Sequence, residues 1–176
     1  MSAVDLQVRT VQVNGYATHI PADQADAGER LLFGNVFECP KLPGEPDVRR
    51  VLDADAGFGA FAIWAVHRWA YAWIDCFAPT ELERALVEVN APMGARVAGR
   101  CDLKIAERYD VVHFHAKRGV DWAAKFEPWC LVVEDRVDLS ALTAGAAIAW
   151  GYTPVHIDLR GCDVVTVFCR VTRGEA

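Results

Sequence analysis

Hydrophobic and polar residues follow two different patterns along this chain. Residues 6–20 alternate between the two types and contain the pair Asn14-Gly15, which predicts a β-hairpin with a tight turn. From residue 50 onward, short continuous apolar runs alternate with segments of helical periodicity. Continuous apolar runs between helices are typical of parallel strands covered on both faces. The pattern therefore predicts an α/β fold with a doubly wound, mostly parallel sheet.

The same patterns give the bounds of the predicted elements. Strands are predicted at residues 50–54, 70–75, 95–100, 109–116 and 129–135, and helices at 59–69, 78–90, 119–126 and 139–151. Two last apolar runs flank the turn Arg160-Gly161-Cys162 and predict a terminal β-hairpin. The predicted buried helix faces are Phe61, Ala62, Ala65, Val66 and Trp69 in the first helix, and Leu82, Ala85, Leu86 and Val89 in the second.

Residues 38–49 contain three prolines and a glycine and are typical of a connector. We therefore expect residues 1–49, the N-terminal hairpin and connector, to pack on a main domain of residues 50–176. No apolar run approaches the roughly 18 residues of a membrane span. The first residues lack the basic and apolar segments of a signal peptide. The expected location is the cytoplasm, without membrane contact.

Charge and cysteine usage exclude some classes of function. The net charge is −6 and no Lys/Arg cluster is longer than residues 49–50, which argues against nucleic acid as a partner. The six cysteines lack C-x-x-C spacing, and most lie in apolar runs. They are therefore expected to be buried thiols rather than zinc ligands. A small-molecule substrate is the class that remains favoured.

The stretch VLDADAGFGAFAIWA, residues 51–65, takes an apolar strand through Gly57 and Gly59 into an apolar helix. Glycines here allow a close approach of the backbone to a ligand, although a plain packing turn would use them equally well. The segment G-F-G-A-F-A also satisfies the loose dinucleotide fingerprint G-x-G-x-x-A, with Asp75 ending the next predicted strand. The predicted fold is thus Rossmann-like.

The charges around this turn favour S-adenosylmethionine over a nicotinamide dinucleotide. Asp53 and Asp55 would repel a pyrophosphate, whereas S-adenosylmethionine offers an ammonium and a sulfonium. The acid Asp75 suits the ribose hydroxyls of either ligand. The residues predicted to contact the cofactor are Asp53, Asp55, Ala56, Gly57, Phe58, Gly59, Asp75 and Cys76.

D-A-D-A-G-F-G-A-F resembles the first motif of class I methyltransferases, especially the FkbM-type, which read D-x-G-A-x-x-G-x-F there. DVVHFHAKRGVDW, PWCLVVED, AIAWGY and LLFGNVFE are similar to further segments of that family, so the resemblance spans roughly residues 29–170. It implies a Rossmann-like methyltransferase that uses S-adenosylmethionine. It also implies that Asp102 lies near the adenine amino group, although an ordinary turn acid is an equal alternative.

Two departures from the family pattern affect the prediction. Asp55 replaces the first glycine, so we expect a positive φ there and repulsion of the cofactor's carboxylate. On this basis Asp55→Gly should tighten cofactor binding by at least about tenfold. His113, His115 and Lys117 replace the Lys, Asp and Glu of the later motif, which makes the family's own substrates unsafe to transfer.

Since strand side chains alternate, His113 and His115 share one face of their strand, with His115 nearest the ligand edge. His115 is the predicted general base and His113 a second catalytic candidate; hydrogen-bonded structural histidines are the alternative. A metal held by both with Glu134 or Asp135 is conceivable, but no metal is predicted. Of the tryptophans, core positions are expected for Trp64, Trp69, Trp73 and Trp150, whereas Trp122 and Trp129 could line a pocket.

The function predicted from these residues is S-adenosylmethionine-dependent methyl transfer to a small molecule, at oxygen. The alternative is a methyltransferase-like domain that has lost catalysis and serves as a binding or scaffold protein. Asp55 and the replaced later motif are the features that separate the two.

Overall fold

The computed structural model describes residues 7–13, 15–33, 36–37, 41, 45–90, 97–100 and 108–170. The strands are β1 Val8–Val13, β2 Tyr16–Pro21, β3 Arg50–Asp53, β4 Trp73–Phe77, β5 Val97–Arg100, β6 Val111–His115, β7 Cys130–Arg136, β8 Thr153–Arg160 and β9 Asp163–Cys169. The α-helices are α1 Ala25–Phe33, α2 Ala60–Arg68, α3 Glu81–Asn90, α4 Val120–Ala124 and α5 Ser140–Ala149. Short 3₁₀ helices occupy Ala22–Gln24 and Ala116–Arg118.

The main sheet has seven strands in the order β5-β4-β3-β6-β7-β9-β8. Strands β3 to β7 pair in parallel, and β9 pairs antiparallel with both β7 and β8. The predicted Rossmann-like sheet with a terminal hairpin is confirmed, as is the N-terminal hairpin β1–β2. Strand order reverses between β3 and β6, so the carboxyl ends of these strands form the crevice in which such sheets bind ligands.

Alternating residues of each central strand supply two separate cores. Val51 and Val111 lie in the core that packs against α2, whereas their neighbours Leu52 and Val112 lie in the core on the opposite face. This alternation explains the continuous apolar runs of the sequence, because both faces of the strands are buried. None of the helices in the described residues has the length and hydropathy needed to span a bilayer.

Several expected details of the elements were wrong. The second strand of the main sheet begins at Trp73 rather than residue 70 and continues to Phe77, because the apolar run starts in the turn after α2. Helix α1 was not predicted, because residues 1–49 were interpreted only as a hairpin and a connector. Trp73 and Trp150 are 45% and 44% exposed, so neither is a core residue.

Helix α3 buries a different face from the predicted one. Leu86, Val87 and Asn90 are buried, while Leu82 and Val89 are exposed. The helix contacts β2 of the hairpin as well as β5 of the main sheet, and the hairpin contact turns Asn90 inward. The spacing of apolar residues predicts the buried face of a helix that packs on one surface. Helix α3 packs on two surfaces, the hairpin and the main sheet, and both determine which of its side chains are buried.

Asn90 joins the N-terminal hairpin to the main domain. Its Oδ1 accepts a hydrogen bond from His19 N at 2.7 Å. Its Nδ2 donates to His19 O and to Phe58 O, both at 2.8 Å. Phe58 lies in the glycine turn, so one buried amide holds the hairpin, α3 and that turn together.

Replacing Asn90 should therefore destabilise the fold. Asn90→Ala leaves buried backbone groups unpaired and is expected to lower the free energy of unfolding by about 1–3 kcal/mol in urea denaturation. The control is Val89→Ala, a neighbouring position on α3 that is exposed. It should change the same quantity by less than about 0.5 kcal/mol. Equal changes in both variants would show that the buried hydrogen bonds of Asn90 do not contribute to stability.

Candidate functional site at the carboxyl edge of the sheet

The turn between β3 and α2 has the backbone of a nucleotide-type loop. Gly57 and Gly59 adopt φ of 52° and 93°, and Gly59 precedes the first residue of α2. Gly59 N donates to Ala56 O at 2.6 Å, which closes the turn. Phe58 is buried beneath α1, where a Cβ on Gly28 would lie 3.1 Å from its ring. The N-terminal segment therefore packs directly on this turn.

Asp55 does not have the expected positive φ, since Glu127 is the only non-glycine residue with one in the described chain. Its side chain instead connects two loops. Oδ2 of Asp55 accepts hydrogen bonds from Arg118 Nε at 2.7 Å and from the backbone N of His115 at 2.9 Å. Asp55 thus holds the segment after β6, and its own backbone does not need the positive φ that Gly57 and Gly59 adopt.

Arg118 lies just beyond the ends of β3 and β4. It donates from Nη2 to Ala54 O at 2.7 Å, and its guanidinium lies 5.1 Å from the ring centroid of Phe77 and 5.3 Å from that of Trp122. Burial alone would raise the pKa of Asp55, but the hydrogen bonds from Arg118 and His115 N lower it. The charge of Asp55 is therefore balanced by that of Arg118. For this reason, the predicted repulsion between Asp55 and the carboxylate of a ligand is no longer expected.

The Asp55–Arg118 pair should stabilise the fold. Asp55→Asn keeps the shape of the side chain but removes its charge, and is expected to lower the free energy of unfolding by about 1–3 kcal/mol. The matched control is Asp138→Asn, which disturbs an exposed pair with Arg136 and should cost less than about 1 kcal/mol. Chemical denaturation measures both. An unchanged midpoint for Asp55→Asn would mean that the pair contributes nothing.

Asp75 is buried in the middle of β4 and not at its end. It accepts hydrogen bonds from Arg50 Nη2 at 2.7 Å, Trp73 Nε1 at 3.0 Å and the Tyr109 hydroxyl at 2.9 Å. The expected position at the strand end was wrong by two residues, because β4 continues to Phe77. Three protein donors already surround the carboxylate that was predicted to bind a ribose.

The remaining predicted cofactor residues lie in different environments. Cys76 is fully buried in β4, where burial and then the charges of Asp53 and Asp75 raise the pKa of its thiol. Ala56 is buried, with its N directed at Phe77 O at 3.4 Å. Asp102 lies outside the described residues. Only Gly57 and Asp55 of the predicted set are partly exposed at this edge.

His113 forms a buried ion-pair cluster with two carboxylates. Its Nδ1 lies 2.8 Å from Asp53 Oδ1 and its Nε2 lies 2.8 Å from Glu134 Oε1. Its ring stacks on Phe61 at 4.2 Å and meets the edge of Phe37 at 5.5 Å. Three adjacent parallel strands thus each contribute one charged group to the cluster.

The two carboxylates hold His113 in its protonated form. Burial alone would lower the pKa of His113, but the charge and hydrogen bond of Asp53, followed by those of Glu134, raise it from 6.5 to about 10. For Glu134, burial would raise the pKa, but His113 lowers it. His113 therefore carries a proton at neutral pH and has no free ring nitrogen with which to act as a base.

This cluster predicts a specific pH dependence of stability. Because the folded pKa of His113 is raised, its contribution is complete below pH 6.5 and is lost as the pH rises through about 10. The free energy of unfolding of the parent should fall over that range more steeply than that of His113→Gln, measured in urea. His67→Gln, which changes an exposed histidine of α2, is the control and should keep the parent slope. Parallel curves for the parent and His113→Gln would contradict the ion pairing.

An open cavity of about 630 Å³ adjoins this cluster at the ends of β6 and β7. His115 and Glu134 lie on its wall, and they are direct neighbours in the parallel register of these strands. Helix α1 covers one side through Ala27, Arg30 and Leu31. The opposite side is formed by residues after β7 and by the start of β9. The cavity is large enough for a small organic molecule.

The structure thus divides the predicted site. His115 faces the cavity, while His113, Asp53, Asp75 and Cys76 are buried in the sheet. The sequence predicted Glu134 only as a conceivable metal ligand, and it did not indicate Arg118, because a single arginine three residues after the end of a strand belongs to no recognisable motif. Among the described residues no group of three or more His, Cys, Asp or Glu side chains has the arrangement of a metal site.

Two tryptophans had been expected to line a pocket. Trp129 lines a separate, small apolar cavity of about 10 Å³ on the α2 side of the sheet. Trp122 packs against the opposite core, with its ring 6.1 Å from Phe114 and 5.1 Å from Phe126. Neither residue lines the large cavity.

Comparison with known proteins shows similarity at the level of fold. No protein-family model matches the sequence, and no curated protein matches it. Among solved structures, the ribosomal protein L11 methylase of Lactobacillus delbrueckii subsp. bulgaricus is similar with a TM-score of 0.61 and 15% identity, over 82% of this chain and 79% of that chain. M. jannaschii TYW2, solved in complex with AdoMet, has a TM-score of 0.59 and 13% identity over 93% and 87%.

An O-methyltransferase family protein of Burkholderia thailandensis is also similar, with a TM-score of 0.58 and 16% identity. The likeness covers 85% of this chain and 59% of that longer chain. The first is described as a methylase and the last as an O-methyltransferase family protein, whereas the description of TYW2 gives only its complex with AdoMet. The chain therefore shares the Rossmann-like fold of these three proteins.

Proposed function

We propose that the protein binds S-adenosylmethionine at the glycine turn and transfers its methyl group to the oxygen of a small molecule in the adjoining cavity. The observation that carries this proposal is the position of the cavity. It opens at the carboxyl ends of β6 and β7, and its wall residue His115 is hydrogen-bonded through its backbone N to Asp55, which lies in the turn that the sequence motif predicts for the cofactor. The motif resemblance to FkbM-type methyltransferases supports the same assignment.

The residues at the turn are compatible with this cofactor. Gly57 is open to solvent on its Cβ side, so the backbone is accessible to a ligand. Arg118 forms an ion pair with Asp55, so Asp55 is not expected to repel the carboxylate of the cofactor. The guanidinium of Arg118 also offers that carboxylate a positive charge. The sulfonium of the cofactor supplies an electrophilic methyl group. The structural neighbour TYW2 was solved with AdoMet.

His115 is the residue we assign as general base. It is half-buried on the cavity wall, and its backbone N is held by Asp55. A neutral imidazole nitrogen can take the proton that a hydroxyl loses as its oxygen is methylated. His113 is assigned a supporting role behind Glu134 because both its ring nitrogens are engaged.

A small molecule is the acceptor class favoured by the surface charge and by the cavity. The net charge of −6 disfavours a phosphate backbone, and a cavity of about 630 Å³ encloses a ligand rather than a flat surface. The neighbouring L11 methylase carries the name of a protein substrate, so a macromolecular acceptor is the competing class.

A second function, binding without catalysis, is favoured by one specific observation. Asp75 and Asp55, two of the carboxylates predicted to contact the cofactor, already accept hydrogen bonds from Arg50 and Arg118. If Arg118 stays in place, its guanidinium occupies space next to the strand ends where a cofactor would lie. The fold would then serve as a binding or scaffold protein.

Ligand-induced stabilisation separates the two functions. S-adenosylmethionine and S-adenosylhomocysteine should raise the melting temperature, whereas NAD should not. A ligand present at 100 times its dissociation constant adds about 2.7 kcal/mol to the free energy of unfolding. No shift with either compound at millimolar concentration would reject the methyltransferase and leave the binding or scaffold function.

A further inference from the structure

Glu134 presents a fixed negative charge to the large cavity. It lies next to His115 in the parallel register of β6 and β7, and its side chain is 18% exposed. Its Oε1 is paired with His113, and no other described residue is hydrogen-bonded to this side chain. The carboxylate therefore retains acceptor capacity on the side of the cavity.

The groups behind Glu134 prevent it from turning away. His113 is held on its other ring nitrogen by Asp53 and is packed between Phe61 and Phe37. The cluster contains two carboxylates and one imidazolium, so a net negative charge remains in a mostly apolar environment. Such an excess charge favours a cationic partner, because a buried charge without compensation is costly.

In the described part of the chain, none of the arginines and lysines on the cavity wall pairs with Glu134. Arg136 pairs with Asp138 through Nε at 3.1 Å, and Lys117 lies 3.9 Å from Asp55. Arg30 donates from Nε to Asp26 O at 3.2 Å. All three side chains are exposed, whereas Glu134 and His115 are half-buried on the cavity wall. The apolar part of the wall is supplied by Leu31, Val36, Leu139 and Leu142.

We propose that the molecule bound in this cavity carries a protonated amine that pairs with Glu134, close to the hydroxyl that faces His115. The inference rests on the proposed function for the role of that molecule as methyl acceptor. Neighbouring parallel strands are about 4.8 Å apart, so an amine and a hydroxyl on adjacent carbons span the two side chains. The acceptor class is therefore a β-amino alcohol with an apolar body. Asp53 and His113 are positioning residues for Glu134.

Three probes of the same size test the charge preference in the parent protein. They are 2-amino-1-phenylethanol, 1-phenyl-1,2-ethanediol and mandelate, which share the phenyl ring and hydroxyl but carry a cation, no charge or an anion. Ligand-detected NMR titration should give a dissociation constant for the amine about tenfold below that of the diol, with mandelate weakest. Equal binding of amine and diol, a preference for mandelate, or no binding of any probe at millimolar concentration would overturn the proposal.

A matched pair of variants tests whether Glu134 causes the preference. Glu134→Gln and Asp163→Asn each remove one negative charge from the cavity wall, but only Glu134 is held by His113. Glu134→Gln should abolish the preference for the amine over the diol, while Asp163→Asn should change it by less than about twofold. If both variants lost the preference for the amine equally, the preference would arise from the overall negative charge of the surface. The assignment to Glu134 would then be rejected.

Cofactor binding is measured on the same samples to keep the two proposals separate. S-adenosylmethionine should bind Glu134→Gln as tightly as the parent, because Glu134 is hydrogen-bonded to His113 and to none of the residues of the glycine turn. A parent that prefers the amine but does not bind S-adenosylmethionine would retain the cation site and reject methyl transfer. A parent that binds S-adenosylmethionine without preferring the amine would retain methyl transfer and reject the cation site.

Discussion

The buried contact of His113 with Asp53 and Glu134 is the interaction on which the rest of this site depends. It joins β3, β6 and β7 at the level where their carboxyl ends begin to form the crevice. Removing three charged groups from water is costly, and their mutual hydrogen bonds offset that cost only when the geometry is maintained. The stability of this contact therefore depends on the relative positions of the three strand ends.

A second charged contact organises the edge outside this cluster. Asp55 binds Arg118 and the backbone of His115, so the glycine turn and the segment after β6 are held together. The position of His115 at the cavity is thereby coupled to the turn at which a cofactor is proposed. A substitution that looks like damage to a nucleotide motif is, in the folded chain, a structural link between two parts of the site.

The N-terminal segment completes the same region from the opposite side. Helix α1 packs on Phe58 through Gly28 and covers the large cavity with Leu31. Asn90 connects the hairpin to α3 and to the glycine turn. The cavity therefore depends on a segment that precedes the Rossmann-like sheet.

The sequence by itself determined the fold class, because continuous apolar strands, amphipathic helices and a glycine turn are local patterns that depend on neighbouring residues. It also placed His113 and His115 on one strand face. Only the tertiary structure decided which charges meet: Asp53 and Glu134 are 60 and 21 residues from His113, and Arg118 is 63 residues from Asp55. Pairing between distant residues depends on strand order and register, which residue spacing does not encode. For that reason Asp53, Asp55 and Asp75 read as ligand-binding acids in the sequence, and in the folded chain each has a protein partner.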